Sequence, residues 1–457
     1  MERKKVLGFW DLVLFTFCAI LGVEAIPASA AIGPSAISWW LICTVGFFFP
    51  FGLVVAELGS TYPEQGGIYI WIKRGLGNKW AARTTWYYWI ALPIWLPAMY
   101  ITIAEIIGHM FFPEMNLWSK VLIGIIMIWI TVGINLCSLK FSKWIPNLGA
   151  ITRLLVIVGM IAAAVAYFLK HGSFANEITI ANIMPNLDVA IVFVPMIIYN
   201  LIGLELISGA AGEMKNPARD IPKTIILSAF IIVSLYLITT FAIWVVVPIS
   251  EINVATGILQ IFLNMFHGHA MRQLIIIGVG LLLSSTLFAE IVTWTLGENR
   301  IVAEAAQYGK LPKVLGKMSE RNMAPIGASI VSGMISTAVI IIYGFIARNA
   351  AELFWHVISF STVVGLLSYL ILFPVFIILR VKDKNIKRPF RVPGPDWLAI
   401  GAAVLAETFV LITTLVLILQ PGNEFIRSTL PIVLGVLITV VIGEIFVNHS
   451  EKKSQSV

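Results

Sequence analysis

Two glutamates lie inside apolar stretches of the sequence, where a charge is costly. Glu24 lies in ILGVEAI at 20–26, and Glu205 lies in IGLELI at 202–207. A carboxylate near the centre of a membrane costs roughly 2 to 3 kcal/mol or more, unless it faces a cavity or a partner. Helices interrupted by glycine are tolerated at that depth only where they line such a cavity. The paired stretches therefore predict a substrate site near the membrane midplane, made from two interrupted spans.

Two further charged residues in apolar segments could belong to the same site. Glu290 precedes Trp294 by four residues, so both side chains can face one cavity from the same side of a helix. A buried pair of Glu290 with Arg300 or with a backbone donor is the structural alternative. Arg153 either extends its side chain toward a membrane surface or lies in the protein interior as a fixed cation.

Signatures of catalysis and of metal binding do not occur in the sequence. Cys18, Cys43 and Cys137 are isolated thiols without a CxxC or a His-Cys spacing. The sequence contains no Walker motif, GxGxxG unit, Ser-His-Asp set or HExxH motif. We therefore expect neither an enzyme nor an ATP-driven pump, and no cofactor and no metal.

The composition indicates a protein that crosses a membrane many times. Of 457 residues, 59% are hydrophobic and only 12% are charged, and the mean hydropathy is +0.93. Soluble globular proteins carry about 25% charged residues. Apolar windows of about 20 residues, the length of a transmembrane helix, recur about twelve times. We expect an all-α membrane protein with a single domain covering 1–457 and almost no sequence left for a soluble domain.

The basic residues are distributed unevenly between alternate segments. The N-terminus, the even-numbered loops and the C-terminus hold most of the 31 Lys and Arg residues. The odd-numbered loops hold only a few, namely Lys120, Lys170, Arg272, Arg348 and Arg427. Because basic loops stay in the cytoplasm, both termini are predicted to be cytoplasmic. The basic residues form no single patch, so the net charge of +7 does not predict nucleic-acid binding.

Several motifs together resemble the amino acid-polyamine-organocation superfamily of secondary transporters. They lie at 20–34, 56–67, 202–205, 213–222 and 388–394. Two further phrases, at 246–253 and 289–294, are similar to the bacterial glutamate/gamma-aminobutyrate antiporter family. That family also contains exchangers of agmatine with putrescine and of tyrosine with tyramine. The resemblance implies a multi-pass protein of the bacterial plasma (inner) membrane.

The resemblance also implies a LeuT-like fold of about 12 transmembrane helices. Ten of them would form an inverted 5+5 repeat, with repeat one at about 11–169 and repeat two at about 189–379. Two peripheral spans would follow at about 396–447. Spans one and six would be unwound at the substrate site. The implied substrate-binding residues are Gly22, Val23, Glu24, Ala25, Ile26, Ile202, Gly203 and Glu205.

Four other positions receive roles from the same resemblance. Tyr199 falls where relatives carry an aromatic gate over the substrate, and Trp294 matches a second aromatic gate on span eight. Arg153 lies on the span where some relatives place a lysine instead of a sodium ion. Arg153 and Glu290 are therefore candidates for an ion site or for coupling.

The expected function is exchange of an amino acid or amine for its amine product by alternating access. Glu24 and Glu205 would place two carboxylates at one site, which a dication would neutralise and a glutamate would not. Agmatine exchanged for putrescine is therefore the leading prediction. In the glutamate exchangers, we expect the acidic residue of span one to lie one position nearer the proline than Glu24 lies to Pro27, and a long C-terminal segment to follow the last span. Here the chain ends at Val457 shortly after span twelve, which favours a substrate other than glutamate.

Other readings of the sequence stay open. The amino-acid alternatives are exchange of glutamate with gamma-aminobutyrate or of tyrosine with tyramine, and proton-coupled amino acid uptake. A membrane sensor or a channel is the alternative outside the carriers. The expected partners are small amino acids or amines and the lipid bilayer, with no nucleic acid, and the protein would be a monomer or a homodimer.

Overall fold

The structure is a computed structural model that describes residues 5–23, 26–137, 142–252, 257–266, 271–309, 311–419 and 429–455. Eleven helical segments in these ranges are long and apolar enough to cross a membrane, and a shorter apolar helix precedes them. The helices are α1 (Phe9–Ile20), α2 (Ile26–Ala30), α3 (Ala36–Cys43), α4 (Phe49–Thr61), α5 (Ile68–Leu76), α6 (Asn78–Phe111), α7 (Leu117–Asn135), α8 (Trp144–His171), α9 (Ile180–Ile183), α10 (Leu187–Leu201), α11 (Pro217–Val246), α12 (Gly257–Met265), α13 (Arg272–Gln307), α14 (Ile326–Ile346), α15 (Ala350–Lys382), α16 (Asp396–Leu419) and α17 (Thr429–Gln455).

This architecture confirms the expected all-α membrane fold. The first predicted span consists of α1 and α2, which is why it does not count among the eleven long segments. The second span consists of α3 and α4, joined by a π-helical turn at Thr44–Phe48. The division into two inverted repeats stays a prediction.

The helix of the sixth span is interrupted beside Glu205, where the sequence contains Gly203. α10 ends at Leu201, and a 3₁₀ helix covers Leu206–Glu213. Gly203 has a φ of +113°, a conformation that is open to glycine and strained for residues with a Cβ atom. The chain therefore leaves the α-helical path at the position where the glycine permits it.

α6 is the central scaffold of the bundle. It packs against α13 and α15, and it also contacts α5, α7 and α14. Pro93 and Pro97 lie within it, and each removes a backbone N–H donor from the helix. α17 packs on α6 and α15, and α16 packs on α15 and also contacts α4 and α10.

The segment before α1 is attached to the end of the sixth span. Leu7 and Met214 form an isolated parallel bridge. The backbone N–H groups of Val6 and Leu7 donate to the Glu213 carbonyl at 3.0 and 3.1 Å. On the other side of this segment, the Lys143 ammonium group donates to the Val6 carbonyl at 3.2 Å.

Candidate functional site

A cavity lies at the centre of the bundle, between the end of α1 and the helices α6, α10, α13 and α15. Its free volume is about 60 Å³. Typical ligand pockets have volumes of roughly 300 Å³ or more. The site is thus contracted in this conformation, and side chains must move to admit a substrate. The lining residues are Ala19, Ile20, Tyr88, Ala91, Leu92, Trp95, Tyr199, Asn200, Ile202, Glu290, Trp294, Glu298, Ser361, Thr362, Gly365 and Tyr369.

Glu205 lies behind the wall of this cavity and is hydrogen-bonded to two residues that line it. Its side chain is fully buried, and Oε1 accepts hydrogen bonds from the hydroxyls of Tyr88 at 2.6 Å and Tyr369 at 2.7 Å. Both tyrosines line the cavity, whereas Glu205 does not. Within the described residues, Oε2 of Glu205 has no hydrogen-bond partner. The two tyrosine hydroxyls therefore separate this buried carboxylate from the cavity and join α6, the interrupted sixth span and α15.

Glu298 brings a second carboxylate directly to the cavity wall. It lies in α13, four residues after Trp294, so both side chains face the cavity from one side of the helix. Glu298 is buried, and its Oε2 has no hydrogen-bond partner among the residues that the structure describes. Glu205 and Glu298 thus place two buried carboxyl groups at one cavity, one behind the wall and one on it.

The third carboxylate, Glu290, is neutralised by Arg153. The Arg153 Nη2 atom lies 2.5 Å from Glu290 Oε2, and both side chains are buried. Arg153 Nη1 also donates to the Cys18 carbonyl at 2.7 Å, near the end of α1. Of the two readings of Arg153, the structure supports the fixed interior cation. Glu290 does not pair with Arg300, which binds Glu213 instead at 3.0 Å.

A tyrosine from α11 occupies the interruption of the first span. The Gly22 N–H group donates to the Tyr236 hydroxyl at 2.8 Å, and this hydroxyl donates to the Ile20 carbonyl at 2.6 Å. Tyr236 thus satisfies backbone groups that the end of α1 exposes. Of the other predicted substrate-binding residues in this span, Val23 and Ile26 are buried. Glu24 and Ala25 lie outside the described residues.

The two predicted gate residues lie on the cavity wall. Trp294 donates from its indole nitrogen to the Ala19 carbonyl at 2.8 Å, and its ring centroid lies 6.3 Å from that of Trp95. Tyr199 lines the same cavity, as does Ile202 from the interrupted sixth span. Trp294 packs directly over Gly203, where a Cβ atom would lie 2.8 Å from the indole ring.

This close approach predicts that Gly203→Ala impairs transport. The new Cβ would collide with the Trp294 ring, and the φ of +113° would strain an alanine by about 1 to 3 kcal/mol. We expect a lower melting temperature and at least about a tenfold slower exchange in proteoliposomes, which corresponds to a loss of about 1.4 kcal/mol.

Gly278→Ala is the matched control for this substitution. Gly278 lies within α13, and among the described residues no atom would lie within 4 Å of its Cβ. An alanine there should leave transport and stability close to the wild type. Normal exchange by Gly203→Ala would contradict this prediction, because it would show that the Trp294 ring can move away from position 203 without slowing transport.

Three contributors to the site were not predicted from the sequence: Tyr369, Tyr236 and the cavity-facing role of Glu298. The spacing of Glu290, Trp294 and Glu298 at intervals of four residues was a usable signal for Glu298. The tyrosines are distant in sequence from the glycine-containing stretches, and no local pattern assigns them to the site.

The chain is similar in sequence to several known transport proteins. The family model described as "Amino acid permease" matches residues 7–442 of the chain. The chain is 32% identical to the "Probable agmatine/putrescine antiporter AguD" of Lactococcus lactis subsp. lactis (strain IL1403), over 98% of this chain and 95% of that protein. A "Glutamate/gamma-aminobutyrate antiporter" of the same strain is 24% identical over 89% of this chain and 81% of its own length. The "Solute carrier family 7 member 12" of Mus musculus is also 24% identical, with coverages of 96% and 92%. The chain belongs to the amino acid permease family, within the amino acid-polyamine-organocation superfamily.

Proposed function

We propose that this permease exchanges small organic dications, with agmatine and putrescine as the leading pair. The observation that carries the proposal is the pair of buried carboxyl groups at the cavity, Glu298 and Glu205. Glu298 on the wall and Glu205 behind it form no ion pair with any described Lys, Arg or His, whereas Glu290 is neutralised by Arg153. Two buried carboxylates without a cation are costly, and a bound dication would offset that cost.

The aromatic wall of the cavity suits the same substrates. Tyr88, Trp95, Tyr199, Trp294 and Tyr369 surround the space next to Glu298. Ammonium and guanidinium groups are attracted to the faces of such rings by about 0.5 to 2 kcal/mol. A glutamate substrate would instead add a negative charge to a site that already holds two carboxylates. The similarity to a probable agmatine/putrescine antiporter supports this preference.

In the proposed cycle, a cationic group of the substrate binds Glu298 and draws the two tyrosine hydroxyls away from Glu205. Tyr88 and Tyr369 then open the connection between α6 and α15. Trp294 and Tyr199 act as gates on other parts of the wall. Arg153 holds a positive charge beside α1 throughout, so transport requires no sodium ion at this position.

The setting in the cell follows from the same proposal. The protein would lie in a bacterial plasma membrane with both termini in the cytoplasm, as a monomer or a homodimer. Its first ten spans would form two inverted repeats around the cavity, and α16 and α17 would lie outside them.

Counterflow in proteoliposomes tests the proposed substrates. Vesicles are loaded with putrescine, glutamate, tyramine or buffer alone, and the entry of labelled agmatine is followed. We expect uptake only into vesicles loaded with putrescine. Uptake of labelled glutamate or tyrosine, without any uptake of agmatine, would instead assign the protein to amino acid exchange.

The variant Glu298→Gln tests the role of the charge at the cavity wall. Losing one of two carboxylates should raise the KM for agmatine by about tenfold or more, since an ion pair with a buried partner contributes about 1.5 kcal/mol or more. Glu407→Gln is the matched control, because Glu407 lies in α16 and does not line the cavity. An unchanged KM in Glu298→Gln would contradict direct binding of the cation by this residue.

A further inference from the structure

A second, polar cavity lies where α15 ends and α16 begins. Its volume is about 330 Å³, and it shares no lining residue with the cavity at the centre of the bundle, which Glu298 lines. Four of its six lining residues are cationic. The lining residues are Arg380, Lys384, Ile386, Arg388, Arg391 and Asp396.

The wall of this cavity is built on one buried carboxylate, Glu57 of α4. Its Oε2 accepts from Arg380 Nη1 at 2.6 Å and from the Val392 N–H group at 2.7 Å, and its Oε1 accepts from Arg388 Nη1 at 3.0 Å. Glu57 is fully buried, and the two arginine side chains are 3% and 7% exposed. These bonds fix the two guanidinium groups at the cavity.

The cations at the cavity exceed the carboxylates that face them. Asp396 is shared, because both Arg380 Nε at 2.9 Å and Arg391 Nη2 at 2.8 Å donate to its Oδ1. Lys384 forms no ion pair with the residues that the structure describes. Within the same described ranges, the buried Arg380 Nη2 has no hydrogen-bond partner, although the guanidinium group lies over the Phe376 ring at 5.7 Å.

The local sequence extends this positive charge. Residues 380–391 contain six Lys and Arg residues and one acidic residue, Asp383. The Asp383 carboxylate accepts a hydrogen bond from the Tyr62 hydroxyl at 2.6 Å, which holds it toward α4. An anion with several acceptor oxygens would therefore find donors in the cavity, and guanidinium groups are well suited to phosphate.

The surroundings of the cavity favour a lipid over a soluble phosphate compound. Val381, Trp397 and Leu398 lie at the same helix ends, and their exposed fractions are 55%, 71% and 45%. Exposed tryptophans at the ends of spans are typical of the membrane–water boundary. We propose that this cavity binds the phosphate group of an anionic phospholipid, whose acyl chains pack against the outer faces of α15 and α16.

Native mass spectrometry of the full, delipidated protein in detergent tests this site. The protein is titrated with phosphatidylglycerol or with phosphatidylcholine, and bound lipids are counted. We expect one phosphatidylglycerol to bind about tenfold more tightly than phosphatidylcholine, because its headgroup carries a net negative charge. The double variant Lys384→Gln/Arg391→Gln, which leaves the Glu57 bonds intact, should lose this preference.

Two comparisons make the result specific. The control Lys313→Gln/Arg321→Gln removes the same charge from exposed positions in the loop between α13 and α14 and should keep the preference. An equal loss in both double variants, or no preference in the wild type, would overturn the proposal.

Soluble glycerol 3-phosphate is added as a competitor, and we expect it to displace little lipid. Displacement at concentrations similar to those of phosphatidylglycerol would make this a site for soluble phosphate and would also overturn the proposal.

Discussion

Replacing Glu205 by glutamine is expected to abolish exchange while the protein remains folded. The amide oxygen of glutamine can still accept hydrogen bonds from Tyr88 and Tyr369, so the connection of α6 with α15 survives. The negative charge that the cation would reach after the tyrosines move is lost. Loss of one charge from a buried pair costs about 2 to 5 kcal/mol, which corresponds to at least about a thirtyfold slower exchange.

The measurement is counterflow of labelled agmatine by protein that elutes as a single species. Glu444→Gln serves as the control, since Glu444 is partly exposed and pairs with Arg83 away from the cavity. The control should transport at nearly the wild-type rate. If Glu205→Gln exchanges diamines as fast as Glu444→Gln does, the buried carboxylate has no part in transport and the charge argument must rest on Glu298 alone.

The second large effect is a loss of stability of the folded protein, which we expect for Arg153→Met. This substitution leaves the Glu290 carboxylate buried without its cationic partner and removes the donor to the Cys18 carbonyl. Breaking a buried ion pair from one side costs about 3 to 5 kcal/mol. We expect a strongly lowered melting temperature in detergent and low yield of folded protein, measured by thermal unfolding and by size-exclusion chromatography.

The double variant Arg153→Met/Glu290→Met separates stability from transport. With both charges removed, most of the stability should return, because an apolar pair can replace a buried ion pair at little cost. Transport should stay impaired, since α1 loses the fixed cation beside it. The matched control is Arg83→Met, whose pair with Glu444 is partly exposed, so its loss should cost about 1 kcal/mol or less. Equal destabilisation by Arg153→Met and Arg83→Met would contradict the assigned role.

The sequence allowed the fold class to be predicted because its cause is local. Length and hydropathy determine whether a segment can cross a membrane, and Gly203 marks the place where the sixth span unwinds. The first span was predicted as one helix with an interruption. It consists of two helices, α1 and α2, too short to count as long spans.

The partners of the buried carboxyl groups could not be predicted in the same way, because they depend on contacts between distant spans. Glu290 and Glu298 look alike in the sequence, yet Arg153 of α8 neutralises only the first. Glu205 was recognised from its apolar surroundings, whereas its donors Tyr88 and Tyr369 are 117 and 164 residues away. Such pairings follow from helix packing, which a single sequence does not display.

The hydrogen bonds of Val6 and Leu7 attach the segment before α1 to the end of the sixth span. Because Val6 and Leu7 hydrogen-bond to Glu213, we expect a displacement of the interrupted span to move the segment that precedes α1. The Lys143 ammonium group, just before α8, donates a hydrogen bond to the same segment. Val6 and Leu7 thus connect two elements of the bundle, and we expect a spectroscopic probe attached to this segment to report the relative movement of the two elements without touching the cavity.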